Sequence, residues 1–392
     1  MRLFTALPLL LLALTASAQA PSPDSATFDP DGTAHVTRVV PVPTTVSPEA
    51  QQWLREIDRN SPQGEETLAD RRKHTDEWRA RDSAEAKRLY PVNVEETTTA
   101  GVRTDIITPL SEATKNRVLI NLHGGGFNSD SGSLIEGIPI ANLAKLKVVS
   151  VYYRLAPENP FPAAVEDVVA VYKDLLKSYQ PRNIGIFGTS AGAILTGEVA
   201  VKIKQLGLPL PGALGMFSTL ADFSRPFESQ QLFSLSGLPG NFTPQSSDHP
   251  HDEFYVGRTD PKDPVLSPLF ADLHGFPPCL LATSTRDLLL SNTSIFHLAL
   301  LHAGVDSQLL VFEALPHAFW YNFQLPETKE ALQMMANFFD QKLGKINRKG
   351  DATSKIGSSE IGPVGTNSST AECLSCLLRA RSRSAEENAS SG

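Results

Sequence analysis

The chain has 392 residues, 41% of them hydrophobic and 20% charged, with a formal net charge of -8. That is enough for one large core with appendages, and an acidic chain without a basic stripe argues against nucleic acid as its main partner. It leaves a neutral small molecule open as the ligand.

The first twenty residues carry Arg2, an apolar run over 7–14 and the small-x-small end Ala18-Gln19-Ala20. This is the layout of a secretory signal peptide, cleaved near Ala20, and the run is too short for the roughly 20 residues of a bilayer span. A secreted or periplasmic protein without a stable membrane anchor is expected. Residues 21–46, rich in Pro, Thr, Asp and Ser, read as an extended leader. Ser47 then caps a helix with Pro48 in its first turn and Trp53, Leu54 and Ile57 on its apolar face. A second, charged helix is predicted over 65–89, anchored by Leu68, Trp78 and Leu89. This 47–89 segment reads either as a solvated cover or as a helical cap over an active site.

From Tyr90 the pattern changes. Short β-rich runs at 92–96, 102–108, 117–122, 148–153, 183–187, 212–217, 278–283 and 308–312 alternate with helical patterns at 163–179, 191–205, 292–303 and 326–343. Such alternation predicts an α/β domain over 90–344, with a mostly parallel central sheet and helices on both faces. Ligands of such sheets bind outside the carboxyl ends of the strands. Residues 222–268 interrupt the alternation with Phe223, Phe227, Phe233, Phe242, Phe254 and Tyr255 among Gly, Pro and Ser. They read either as further substrate cover or as a self-packed insertion. Residues 345–392 have the composition of a disordered tail. The Cys373-x-x-Cys376 pair in it lacks the further ligands that zinc needs, and Cys279 reads as a buried apolar residue. No metal-ligand spacing and no cofactor motif occur elsewhere.

Gly188-Thr189-Ser190-Ala191-Gly192 fits G-x-S-x-G between a strand and a helix. The chemistry needs that context, because a serine on a tight strand-to-helix turn projects its hydroxyl above the sheet. His123-Gly124-Gly125-Gly126 directly follows another strand. Its glycines let backbone N–H groups approach a substrate, so Gly124 and Gly125, with Ala191 beside the serine, are the expected oxyanion donors. A phosphate loop is disfavoured, since neither P-loop nor dinucleotide fingerprint is completed.

Six histidines follow Ser190, and only His317 follows a strand in a loop before a helix. His249 and His251 lie in the irregular excursion, His274 precedes a strand, and His297 and His302 sit on a helix. By the same rule Asp287 follows a strand end, whereas Asp272 and Asp306 precede strands; Asp260 and Asp263 are weaker alternatives. Ser190 as nucleophile, His317 as base and Asp287 as orienting acid make a serine hydrolase that needs no cofactor. Phe127, Phe223 and Phe227 are the candidate substrate-binding side chains.

Three blocks together resemble the bacterial hormone-sensitive-lipase-like carboxylesterases of the α/β-hydrolase superfamily. They are His123–Gly126, Tyr153-Arg154-Leu155-Ala156-Pro157-Glu158 with Phe161-Pro162-Ala163-Ala164, and Gly188–Gly192. The resemblance implies hydrolysis of short- to medium-chain acyl esters beneath an N-terminal helical cap, with a structural role for the middle block. The family's commonest elbow is G-D-S-A-G-G; here Thr189 replaces the Asp and Ala193 the last Gly, as in a G-T-S-A-G branch. Ala318 stands where the family usually has Gly after the histidine, a change expected to matter little. An amidase or peptidase, a carbohydrate deacetylase or an interfacial lipase would use the same triad. A non-catalytic receptor resembling this family would have lost the histidine, which is present. A homodimer stays open.

Overall fold

A computed structural model describes residues 24–57, 67–110, 116–130, 133–238 and 255–344. The expected signal peptide, His249, His251, Phe242, Phe254 and the tail with Cys373 and Cys376 lie outside the described residues.

The leader is paired as well as extended. Strands β1 (Ser25–Phe28) and β2 (Ala34–Thr37) form an exposed antiparallel hairpin. Its turn closes through Asp29 N to Thr33 O at 2.8 Å and Gly32 N to Asp29 O at 2.9 Å, with Gly32 at φ 91. Helix α1 (Pro48–Glu56) starts as predicted: the Ser47 hydroxyl oxygen accepts from Ala50 N at 3.1 Å. Helix α2 (Leu68–Leu89) is capped by Thr67, whose hydroxyl accepts from Asp70 N at 3.2 Å.

The expected apolar anchoring of α2 is only partly found, because Leu89 is 39% exposed and the buried residues of the helix are Ser83 and Ala86. Arginines hold it instead. Arg72 donates to Asn128 O at 2.7 Å and Ala156 O at 2.9 Å, and forks onto Glu158 with two bonds of 2.7 Å. Arg79 pairs with Asp130 at 2.6 Å. A mostly polar helix is thus fixed to the domain by charge-assisted bonds, which are shorter and stronger than neutral ones.

The main sheet comprises β3 (Val92–Thr99), β4 (Val102–Pro109), β5 (Val118–Leu122), β6 (Lys147–Val151), β7 (Ile184–Thr189), β8 (Ala213–Phe217), β9 (Cys279–Ser284) and β10 (Ser307–Phe312). Among the described residues it runs in the order β10-β9-β8-β7-β5-β6-β4-β3. Pairing is parallel from β10 to β6 and antiparallel at β6–β4 and β4–β3. The central strands β5, β7, β8 and β9 are buried at every residue, which is why they read as apolar runs and not as alternations.

Helices α3 (Ser133–Ala144), α4 (Ala163–Leu175), α5 (Ala191–Gln205), α7 (Leu290–His302) and α8 (Pro326–Lys342) cover the sheet, and a short α6 (Glu228–Leu232) lies in the excursion. Helix α3 has no counterpart in the sequence reading. It is apolar nearly all round and contains Gly137 and Pro139, so no amphipathic period marks it.

Neighbouring residues of β5 point to opposite faces, as the period of two requires. Ile120 and Leu122 join Val168, Leu195 and Val199 on one side. Leu119 joins Phe187, Phe217, Met335 and Phe339 on the other. Each such side chain contributes roughly 1.5–3 kcal/mol by burial.

The chain leaves β5 for β6 on one flank and then returns to β7 on the other. The β5–β7 pair is therefore the point at which strand order reverses, and crevices of such sheets open there. Leu122 lies opposite Gly188 across that pair. The register puts the His123 loop and the Ser190 turn side by side.

Candidate active site

Strand β7 stops at Thr189 and α5 starts at Ala191, so Ser190 alone makes the turn. Its backbone lies at φ 58 and ψ -123, a conformation costly for a non-glycine residue. Its N–H donates to Phe217 O at 2.9 Å and its C=O accepts from Ile194 N at 3.0 Å, which hold the turn against that cost. The two glycines of the motif are required by close approach. A Cβ on Gly192 would stand 1.8 Å from Leu122 O, and one on Gly188 2.2 Å from the same oxygen. The serine turn is thus pressed against the end of β5, where the glycine loop begins.

In that loop Gly125 adopts φ 106, and a Cβ there would stand 2.2 Å from Ser129 O. Its carbonyl accepts from Asn128 N, Ser129 N and the Ser129 hydroxyl at 3.1–3.2 Å. His123 is buried, donates through Nδ1 to Gly124 O at 2.8 Å and stacks on Tyr153 at a centroid distance of 4.1 Å. The Tyr153 hydroxyl donates to His123 O at 2.7 Å. These bonds and the ring stacking hold the loop, and His123 O lies close beside Gly192 of the serine turn.

Asp287 and His317 come together from the ends of β9 and β10. His317 Nδ1 lies 2.8 Å from Asp287 Oδ1, and the Asp287 side chain is 1% exposed. The carboxylate also accepts from Leu289 N at 2.9 Å, from the Thr283 hydroxyl at 2.9 Å and from the Ser218 hydroxyl. Burial alone would push this carboxyl up. The charge of His317 and the hydrogen bonds outweigh it, so Asp287 is held below its ordinary value. The His317 loop is tied back by the Ser284 hydroxyl to Leu315 O and by Ala314 N to the Thr285 hydroxyl at 2.7 Å.

The family model described as alpha/beta hydrolase fold matches residues 119–321, just over half of the chain. The chain belongs to that family. An esterase of Acinetobacter venetianus is 30% identical over 64% of this chain and 84% of its own length. An acetyl-hydrolase of Streptomyces hygroscopicus is 31% identical over 58% of this chain and 77% of its own. The crystal structure of an esterase from the bacterial hormone-sensitive lipase family superposes with a TM-score of 0.67 at 30% identity, covering 76% of this chain and 99% of that one. The chain is a carboxylesterase of the hormone-sensitive-lipase-like group, as its three sequence blocks led one to expect.

In this esterase the middle block works through charge. Arg154 pairs with Asp167 at 2.9 Å, and Glu158 receives the Arg72 fork from α2, which lowers the Glu158 carboxyl to about 2. The phenylalanines singled out in sequence pack against other side chains. Phe127 is 4% exposed and stacks on Tyr255 at 3.4 Å, with Phe223 tilted against the same ring at 6.2 Å. Phe227 is buried beneath Arg225. Tyr255 also donates to Glu198 of α5 at 2.5 Å, and burial holds that carboxyl well above its ordinary value. The described part of the excursion is therefore pinned to the glycine loop and to the helix behind Ser190.

Sequence reasoning missed three supporting groups. Ser218 and Thr283 hold Asp287, but a hydroxyl one residue beyond a strand or within it carries no sequence signal. Glu136, on the unforeseen α3, is buried at 1% exposure. It accepts from the Thr189 hydroxyl at 2.8 Å, Asn121 Nδ2 at 3.3 Å and the Tyr321 hydroxyl at 3.4 Å. Burial pushes its carboxyl up to about 8. Among the described residues no group of three or more His, Cys, Asp or Glu side chains is placed to hold a metal ion.

Proposed function

We propose that this esterase cleaves short- to medium-chain acyl esters through an acyl-enzyme on Ser190. The observation that carries the reading is the 2.8 Å contact of His317 Nδ1 with the buried, four-times hydrogen-bonded Asp287. That contact makes Nδ1 the protonated nitrogen and leaves Nε2 as the base. Ser190 attacks the ester carbonyl as His317 takes its proton. The oxyanion is met by the N–H groups of Gly124, Gly125 and Ala191. His317 then returns the proton to the leaving alkoxide, and a water activated by the same nitrogen releases the acid. The likeness to a protein named an acetyl-hydrolase favours the small end of the acyl range.

The test is hydrolysis of p-nitrophenyl esters from acetate to palmitate by the native enzyme and by Ser190→Ala. Turnover greatest at short acyl chains and abolished in the folded variant is the expected result. Undiminished turnover in Ser190→Ala would remove the mechanism, and a maximum at palmitate would replace the esterase by an interfacial lipase.

A further inference from the structure

Beside His317 lies a cavity of about 480 Å³, within the roughly 300–1,000 Å³ typical of small-molecule sites. One part of its wall is aromatic, with Trp53 from α1, Trp78 from α2, and Phe319, Tyr321 and Phe323 from the segment after His317, while the neutral amides Asn322 and Gln324 also line it. Trp78 and Tyr321 face one another at a centroid distance of 5.8 Å, inclined by 52°. Arg81, Asp82 and Glu85 also line it. Their charges are met locally, Arg81 by Asp82 at 2.8 Å and Glu85 by Arg88 at 2.6 Å. The cavity therefore presents flat rings and no uncompensated charge, which suits a neutral aromatic group.

Position decides which part of an ester belongs there. His317 is in the wall, whereas Ser190, Gly124 and Gly125 are not among the lining residues. In acyl transfer the carbonyl oxygen faces the oxyanion donors, and the proton held by the histidine goes to the leaving oxygen. The group next to the histidine is the alcohol.

We propose that this cavity receives the leaving group, and that the preferred substrates are esters of neutral, aryl-bearing alcohols with small acids. The proposal rests on the ester-hydrolase reading above. In the step it describes, the bond from Ser190 Oγ to the acyl carbon forms and the bond from that carbon to the alcohol oxygen breaks. The proton taken from Ser190 leaves with the aryl alcohol, and water later supplies the hydroxyl of the acid and, through His317, the proton that restores Ser190. Aryl contacts with Trp78 and Tyr321 are worth about 0.5–1.5 kcal/mol beyond area burial, which converts to about a two- to tenfold preference.

The experiment compares kcat/KM for benzyl, 2-naphthylmethyl, cyclohexylmethyl and ethyl acetates in the native enzyme and in Trp78→Ala and Trp53→Ala. Expected are aryl esters ahead of cyclohexylmethyl and ethyl acetate, and an aryl-to-ethyl ratio that falls about three- to tenfold in either variant. Free 2-naphthylmethanol is expected to inhibit the native enzyme competitively and to quench its tryptophan fluorescence. That readout stands if either variant fails to fold. Ser190-dependent turnover with equal rates for all four alcohols, or folded tryptophan variants that leave the aryl-to-ethyl ratio unchanged, would overturn the proposal. Turnover that survives Ser190→Ala would instead sink the underlying mechanism.

Discussion

Thr189, the residue before the serine turn, donates its hydroxyl hydrogen to Glu136 at 2.8 Å and accepts from Trp320 Nε1 at 3.0 Å. One hydroxyl thus joins the Ser190 turn to helix α3 and to the segment that follows His317. Thr189→Val keeps the volume and removes the link. It leaves a buried indole N–H and a buried carboxyl without this partner, each worth about 1–3 kcal/mol. A lower melting temperature and a reduced kcat are expected, read by calorimetry and by turnover of p-nitrophenyl acetate. A variant identical to the native enzyme in both would show that the link has no role.

Glu136 makes stability depend on pH. Its carboxyl titrates near 4.5 when unfolded and near 8 when buried in the folded chain. Between those values the folded state binds more protons, so stability falls as pH rises, by at most about 1.4 kcal/mol per pH unit, and levels off above 8. Glu136→Gln cannot ionise and should escape that loss. The difference in unfolding free energy between native and variant, followed from pH 4 to 9, is expected to shift steadily in favour of the glutamine. A pH-independent difference would assign the titration to another group.

Gly192→Ala is expected to destroy activity and to destabilise the fold severely. The new methyl would stand 1.8 Å from Leu122 O and 2.8 Å from His123 O, both backbone atoms that cannot step aside alone. Either the serine turn or the glycine loop must move, and both carry groups of the proposed mechanism. Soluble expression with normal esterase rates would contradict this packing.

Ala318→Gly is expected to stabilise the protein by roughly 1 kcal/mol. Ala318 lies at φ 53 and ψ 33, in the left-handed region where a side chain costs energy and glycine does not. A glycine, the residue usual here in the proteins this chain resembles, suits that backbone without the cost. Chemical denaturation of the two proteins side by side measures the difference, and an unchanged or lower midpoint would show that the strain is absorbed elsewhere.

Much of the site was legible because strand-helix alternation places strand ends on one edge. Ser190, Asp287 and His317 each follow a strand of the sheet, and the parallel register brings those ends together. The order of strands was not legible. That β7 lies beside β5, so that the Ser190 turn abuts the glycine loop, depends on which flank the chain returns to, and nothing local encodes it. The roles of Phe127 and Leu89 were also hidden, since an aromatic or aliphatic residue looks the same whether it faces a ligand, Tyr255 or solvent.

By itself, then, the sequence determined the ester-hydrolase class, the parallel sheet and which residues follow its strands, because these follow from motifs and periodicities a few residues long. Only the tertiary structure decided what surrounds them. The Glu136 hub, the Ser218 and Thr283 bonds to Asp287, the arginine fastening of α2 and the aromatic cavity beside His317 all join residues far apart in the chain. Their partners are set by how the strands and helices pack, and local sequence carries no record of that.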